Sequence, residues 1–262
     1  MHPSEKNKST VQILTEPDVF AKKNRLYLEI REREGRVLSD AEVAKLPHFQ
    51  AAIPEQQRMQ KEWQWRARTL RRFQKYLKTR FQNQVLRILD LGCGNGWMAL
   101  QLARRPNTEL WAVDVNLPEL EQGARIAAAA AGLSTIHFCF ADILETPLPD
   151  KQFDLIVLAA SVQYFADLKI LIAALKRLLR PGGEIHFLDS PFYPNEAERQ
   201  RAQAGSRRYY SNLGVPEMAQ WYHHHLWADV AALGGKNWNA TFWATVLRHT
   251  GYLPPFPWVV IQ

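Results

Sequence analysis

Five apolar runs of strand length, "VLRILDL", "ELWAVDV", "TIHFCFA", "FDLIVLAA" and "GEIHFLDS", follow one another between residues 85 and 190. Each is apolar at successive rather than alternate positions, so both faces of the strand must be covered. The segments between them, "WMALQLARR", "LPELEQGARIAAAAAG" and "DLKILIAALKRLLR", have the length of helices and a helical spacing of apolar residues. Strands that need cover on both faces, alternating with helices that supply it, predict an α/β fold: a doubly wound, mostly parallel Rossmann-like sheet.

The flanks follow other rules. Residues 1 to about 12 read as a frayed tail. "EPDVFAKKNRLYLEIREREG" then reads as a helix begun near Pro17 and stopped by Gly35. "SDAE" (Ser39 to Glu42) has the form of a capping box and starts a short helix that must end near Pro47. Trp63, Ala67, Leu70, Phe73, Leu77 and Phe81 recur every three or four positions, which predicts a helix with one buried face. Its segment "RARTLRRFQKYLKTR", residues 66 to 80, carries seven basic residues and no acid, so the other face is basic. Residues 1–85 are therefore expected to be a helical N-terminal extension or cap, and 86–190 the sheet core. Residues 191–262 are expected to hold an inserted lid, then a closing helix, "NATFWATVLRHTGY", and a closing strand, "PWVVIQ".

The first run of the core ends in "ILDLGCGNGW", where Gly92, Gly94 and Gly96 precede a helix. A strand-to-helix turn places free backbone N–H groups at the carboxyl edge of a sheet, and glycines let a ligand approach that backbone. The spacing G-x-G-x-G departs from the G-x-G-x-x-G dinucleotide fingerprint. Asp114 ends the second run, where an acid can accept hydrogen bonds from ribose hydroxyls. Asp142 and Ile143 follow the third, where a carboxylate and an apolar neighbour suit an adenine amino group and ring.

In order and distance, "LDLGCGNGW", "AVDVN", "ADI", "FDLIVLAASVQYF" and "LRPGGEIHFLD" resemble the class I S-adenosylmethionine-dependent methyltransferases over roughly residues 86 to 190. The resemblance implies S-adenosyl-L-methionine as cofactor and a seven-stranded sheet whose last strand is antiparallel. It implies that Asp90 and the turn Gly92, Cys93, Gly94, Asn95 and Gly96 surround the methionine part. Asp114 would hold the ribose, with Val115 beside the adenine. Asp142 and Ile143 would meet the adenine, and Ala159, at the end of the fourth run, would join this cofactor wall. "RPGG", residues 180 to 183, would be the turn into the fifth strand.

Transfer of an already activated sulfonium methyl needs chiefly positioning, and a base only where the acceptor retains its proton. Acceptor residues should emerge where the fourth and fifth runs end: Tyr164 and Asp189 as catalytic candidates, Gln163 and Tyr193 as substrate contacts. Tyr209, Tyr210, Trp221 and His224 of the lid complete the expected substrate set. His137 and His186, inside strand runs, read as structural. "WYHHHLW" lacks the spacing and partner ligands of a metal site, so no metal is expected.

The expected function is methyl transfer to a small molecule. An RNA substrate on the basic helix is the alternative that the net charge of +7 invites. A non-catalytic binding or assembly member of the fold, and a nicotinamide oxidoreductase, are the others. No run approaches the length of a membrane span. The two cysteines, Cys93 and Cys139, form no disulfide framework, and a reducing, cytoplasmic setting is the expectation. The sequence leaves the oligomeric state open.

Overall fold

The computed structural model describes residues 10–145, 148–238 and 255–262. The five apolar runs become β2 (Leu86–Leu91), β3 (Thr108–Asp114), β4 (Ile136–Phe140), β5 (Phe153–Ala159) and β6 (Leu179–Leu188), which pair with one another in parallel. Helices α4 (Trp97–Leu102), α5 (Leu117–Ala129) and α6 (Leu168–Leu178) lie between them in the chain. The full order adds β1 (Gln12–Ile13) at one edge, and β10 (Val259–Ile261) and β9 (Lys236–Asn237) at the other: β1-β4-β3-β2-β5-β6-β10-β9. β10 runs antiparallel to β6 and β9 antiparallel to β10, so the sheet is mostly parallel with an antiparallel edge.

Three sequence expectations change. At the end of the segment read as a frayed tail, Gln12 and Ile13 pair with Cys139 and Phe140 as an edge strand. Backbone pairing with β4 supplies what a strand of two residues does not advertise in sequence. "RPGG" lies within β6 as an irregularity: Phe153 faces Leu179, and Leu155 already faces Glu184. The closing strand has a partner, the two-residue β9. The helix expected over residues 239–252 lies outside the described residues.

The N-terminal segment is helical as its caps predict. α1 (Ala21–Arg33) follows a turn of 3-10 helix that starts at Pro17, and Gly35 leaves it with a φ of 64°. The Ser39–Glu42 capping box forms in full at the start of α2 (Asp40–Val43). α3 (Gln57–Phe81) buries Trp63, Leu70, Phe73 and Leu77 in one cluster with Leu86, Ile88, Leu155 and Val157 of the sheet. It thus covers a sheet face as the core helices do; each such fully buried side chain contributes about 1.5–3 kcal/mol. α7 (Glu196–Asn212) and a 3-10 turn, Pro216–Trp221, share a second cluster with α1: Leu26 and Ile30 meet Tyr210, Val215 and Met218. Two segments far apart in sequence therefore form one cap at the carboxyl edge of the sheet. The histidine run leaves the helical conformation altogether, with His225 in β8 (His225–Leu226), which pairs with β7 (Phe192–Tyr193) ahead of α8 (Trp227–Ala232).

His186 is structural, and the reason is a buried network. Trp258 Nε1 donates to His186 Nδ1 at 3.0 Å, which leaves the proton on Nε2, 3.2 Å from Glu184 Oε2. Tyr76 of α3 donates to the same oxygen at 2.5 Å, and Gln262 donates to Oε1 at 3.0 Å. Burial alone would raise the Glu184 carboxyl; the bonds from His186, Tyr76 and Gln262 outweigh it and hold it at about 2. Burial pushes the His186 imidazole down, partly offset by Glu184. A depressed carboxyl contributes stability above the unfolded carboxylate range and loses it as pH falls towards the folded value. Tyr76→Phe is therefore expected to lower unfolding free energy by about 1–2 kcal/mol at pH 7, a deficit that narrows towards pH 2. Urea denaturation at pH 7 and pH 3 measures it; an unchanged midpoint at pH 7 would remove the network from the stability account.

Candidate functional site

The strand order reverses between β2 and β5. From β2 the chain proceeds to β3 and β4 on one side, then crosses back to β5 and β6 on the other. At such a switch point the loops leaving the two central strands diverge, and a crevice opens at the carboxyl edge. A cavity of about 1090 Å³ occupies that place. Its floor includes Leu91 to Asn95 from the glycine turn, and Ala159 to Ser161 from the end of β5.

The glycines are needed first by the protein's own packing. Gly92, Gly94 and Gly96 all have positive φ, which costs an L-residue about 1–2 kcal/mol. A Cβ on Gly92 would stand 2.4 Å from Ser161 Cβ, because the β2 and β5 loops meet there and Ser161 Oγ donates to the Leu91 carbonyl at 2.7 Å. A Cβ on Gly96 would stand 2.7 Å from the Phe138 ring, so this glycine serves the seating of α4 on the sheet and lies behind the cavity wall. Gly94 differs. Its Cβ would meet only the end of the Glu119 side chain, at 3.0 Å, on the cavity side.

Asp114, at the end of β3, fixes this turn. Its Oδ2 accepts from the Gly94 N–H at 2.7 Å, and its Oδ1 from Val115 and Asn116 N–H at 2.7 and 2.9 Å. Burial raises the Asp114 carboxyl, opposed by those backbone donors and by Lys23. Oδ1 is filled by its two donors, and Oδ2, with one, keeps acceptor capacity for a ligand. Asp142 accepts from Leu144 N–H at 2.9 Å in the turn after β4, and its own N–H donates to Thr15 Oγ1 at 2.9 Å. It lines the cavity together with Ile143.

The N-terminal segment closes this side. Phe20, Lys23, Asn24 and Tyr27 of the α1 region line the cavity. The Asn24 amide donates to the Val115 carbonyl, and Arg31 pairs with Glu119 at 3.7 Å. Burial lowers the Lys23 amine, opposed by Asp114 and Asp142. Burial also pushes Glu119 up to about 7, opposed by Arg31. None of these residues was singled out from the sequence. Their helix was legible, but which strand end its polar face meets is a tertiary fact.

On the opposite side, β5 and β6 end in two non-glycine residues of left-handed conformation, Ala160 (φ 58°) and Asp189 (φ 53°). Asp189 is buried and lines the cavity; its Oδ1 accepts from Thr69 Oγ1 of α3 at 2.6 Å, while Oδ2 has no partner among the described residues. Burial raises its carboxyl against the opposing pull of Thr69, Arg66 and Arg72. His224 Nδ1 lies 3.1 Å from the Tyr193 hydroxyl, and its buried Nε2 has no partner among the described residues. Burial, with His225, His223 and Arg199, pushes His224 down to about 4, so the ring is neutral near pH 7. Tyr164 meets Tyr27 and Tyr222 edge to face, at centroid distances of 6.2 and 5.8 Å.

Most of the residues expected from the sequence thus share one wall. Cys93, Asn95, Asp114, Val115, Asp142, Ile143 and Ala159 lie on one part of it, and Tyr164, Asp189, Tyr193, Tyr209, Tyr210 and His224 on the other. Gln163 lines it too, with its amide engaged: Nε2 donates to the Ala160 carbonyl at 2.6 Å and Oε1 accepts from Ser190 Oγ at 3.4 Å. Asp90 sits behind the turn, pushed up to about 7 by burial and opposed by the Ala99 N–H. Trp221 packs against the cap cluster instead of lining the cavity. Arg66, in the segment read as a basic solvent face, turns inward and lines the cavity with its guanidinium 4.6 Å from the Trp63 ring. Among the described residues no group of three or more His, Cys, Asp or Glu is placed to hold a metal ion.

Residues 88–183 match the family model described as a methyltransferase domain. A demethylmenaquinone methyltransferase of Thermus thermophilus is 40% identical over 112 residues, 42% of this chain and 50% of that one. A malonyl-[acyl-carrier protein] O-methyltransferase of Salmonella typhimurium is 35% identical over 136 residues, 52% of this chain and 51% of that one. The chain thus spans about half the length of these curated relatives. A solved structure, the YcgJ protein of Bacillus subtilis, aligns with a TM-score of 0.49 at 19% identity, over 63% of this chain and 71% of that one.

Proposed function

We propose that this chain, whose residues 88–183 match a methyltransferase domain, is a class I S-adenosylmethionine-dependent methyltransferase that transfers a methyl group to a small-molecule acceptor. One observation carries the reading. A single cavity joins the glycine turn, Asp114 and Asp142, with α1 beside them, to a second wall built from α3 and the segment after β6. A ligand on the first part and an acceptor on the second would meet within one space.

The donor-set chemistry fits S-adenosyl-L-methionine. Asp114 Oδ2 retains a lone pair, Gly94 leaves the cavity floor bare, and Asp142 with Ile143 offers an acceptor beside an apolar face. In this reading Asp114 holds the ribose hydroxyls, Asp142 and Ile143 the adenine, and residues 92 to 95 the methionine part. The bound cofactor supplies an electrophilic methyl on a sulfonium. This chain's residues then contribute position and proton management. Tyr164, Tyr193 and Tyr222 fix the acceptor's orientation, which in-line transfer requires. Asp189, carboxylate held by Thr69, takes the acceptor's proton when there is one.

Calorimetric titration with S-adenosylhomocysteine, with NAD in parallel, tests the reading. Binding of S-adenosylhomocysteine alone is expected. Binding of NAD alone would overturn it, and binding of neither would point to a non-catalytic member of the fold.

A further inference from the structure

The acceptor half of the cavity presents two groups of opposite charge that do not satisfy each other. Asp189 Oδ2 is buried without a partner, its other oxygen taken by Thr69. Arg66 stands one helical turn before Thr69 on α3, lines the same cavity and rests its guanidinium against Trp63 at 4.6 Å. The two influence each other electrostatically, yet among the described residues Arg66 has no carboxylate within the 4.0 Å of an ion pair. Of the neighbouring cations, Arg36 pairs with Glu62 at 2.8 Å and Arg31 with Glu119 at 3.7 Å, the Arg31 Nε being buried without a partner among the described residues. A guanidinium stacked on an aromatic ring keeps its edge donors for a planar partner, and two parallel N–H groups match a carboxylate.

Building on the methyl-transfer reading, we propose that the acceptor carries a carboxylate, bound by Arg66, and a separate O–H or N–H that faces Asp189 Oδ2. The pairing gives Asp189 Oδ2 a partner and Arg66 a counter-charge at once. It also sets the acceptor's orientation, because opposite charges at the two ends of the site reject the reversed pose. A monoanion suits the site better than a phosphate dianion, since one guanidinium balances one charge and Asp189, which acts on Arg66 electrostatically, disfavours a second. Arg66 is then a specificity-determining residue that the basic run around it conceals in the sequence.

The test is calorimetry on protein saturated with S-adenosylhomocysteine, using matched hydroxy-aryl pairs: 4-hydroxybenzoate against 4-hydroxybenzamide, and salicylate against salicylamide. At least one acid is expected to bind tenfold or more tighter than its amide. Arg66→Met should bring that ratio to within twofold of one, while S-adenosylhomocysteine affinity, which also reports a folded core, stays within twofold of the parent. Arg66→Lys should restore part of the preference without its full size, having the charge but not the fork. Three results would overturn the proposal: no preference for any acid in the parent, an unchanged preference in Arg66→Met, or tighter binding of 4-hydroxyphenyl phosphate than of 4-hydroxybenzoate. Failure of S-adenosylhomocysteine to bind the parent would instead strike the methyl-transfer reading itself.

Discussion

Asp114→Ala is expected to weaken S-adenosylhomocysteine binding by about a hundredfold or more, with the fold retained. The carboxylate holds three backbone N–H groups as well as facing the cavity. Without it the Gly94 N–H loses its acceptor and the turn loses its anchor to β3. Leaving a buried donor unmade costs about 1–3 kcal/mol, and the loss of the direct ligand bond adds to this. Asp114→Asn separates the two contributions. An asparagine oriented to keep the Val115 and Asn116 bonds must point its NH2 at the Gly94 N–H, donor against donor. Asparagine should therefore bind nearly as poorly as alanine. Affinity near the parent's in Asp114→Asn would mean that the turn is held by its own backbone, and unchanged affinity in Asp114→Ala would remove the ribose assignment.

Asp189→Asn is expected to lower kcat by about 10²–10⁴, the usual contribution of a positioned proton acceptor, with cofactor affinity within a few-fold of the parent. Asparagine is chosen because it tolerates the left-handed backbone that Asp189 adopts at φ 53°. The pH profile carries the more discriminating evidence. The carboxylate is the active form, and burial raises its proton affinity, so activity should fall on the acid side at a higher pH than for an exposed aspartate. The Thr69 hydroxyl lowers that affinity by donating to Oδ1. Thr69→Val removes the donor, so the acid limb of kcat should move to higher pH while the alkaline plateau is kept. A uniform loss of rate at every pH would make Thr69 a packing residue, and an unaffected kcat in Asp189→Asn would show that the acceptor reacts without a base.

Much of the site was legible because strand ends are legible. Apolar runs locate where each parallel strand stops, and a parallel sheet brings all those stops to one edge. Asp114, Asp142, Ala159 and Asp189 could thus be placed near one another from the positions of the run ends alone. The glycine turn was legible too, although its reason was only partly so. Gly92 and Gly96 lack side chains because Ser161 and Phe138 fill the space, which no local pattern announces. Asp90 precedes the turn in sequence but lies buried beneath it, where the Ala99 N–H of α4 meets it, a placement that only the tertiary structure gives.

The sequence by itself determined the doubly wound core, its helices, the capping of α1 and α2 and the turn that opens the cavity. These depend on the period of hydrophobicity and on local backbone chemistry, both written within a dozen residues. Only the tertiary structure decided that α1 walls the cavity beside Asp114, that α1 and α7 form one cap, and that Arg66 and Thr69 of a basic helix face inward towards Asp189. Those facts rest on contacts between residues about 90 to 190 positions apart, 91 for Asn24 with Val115 and 120 for Thr69 with Asp189. An amphipathic helix reveals which of its faces is buried, but not which polar residues at the border of that face will meet a ligand.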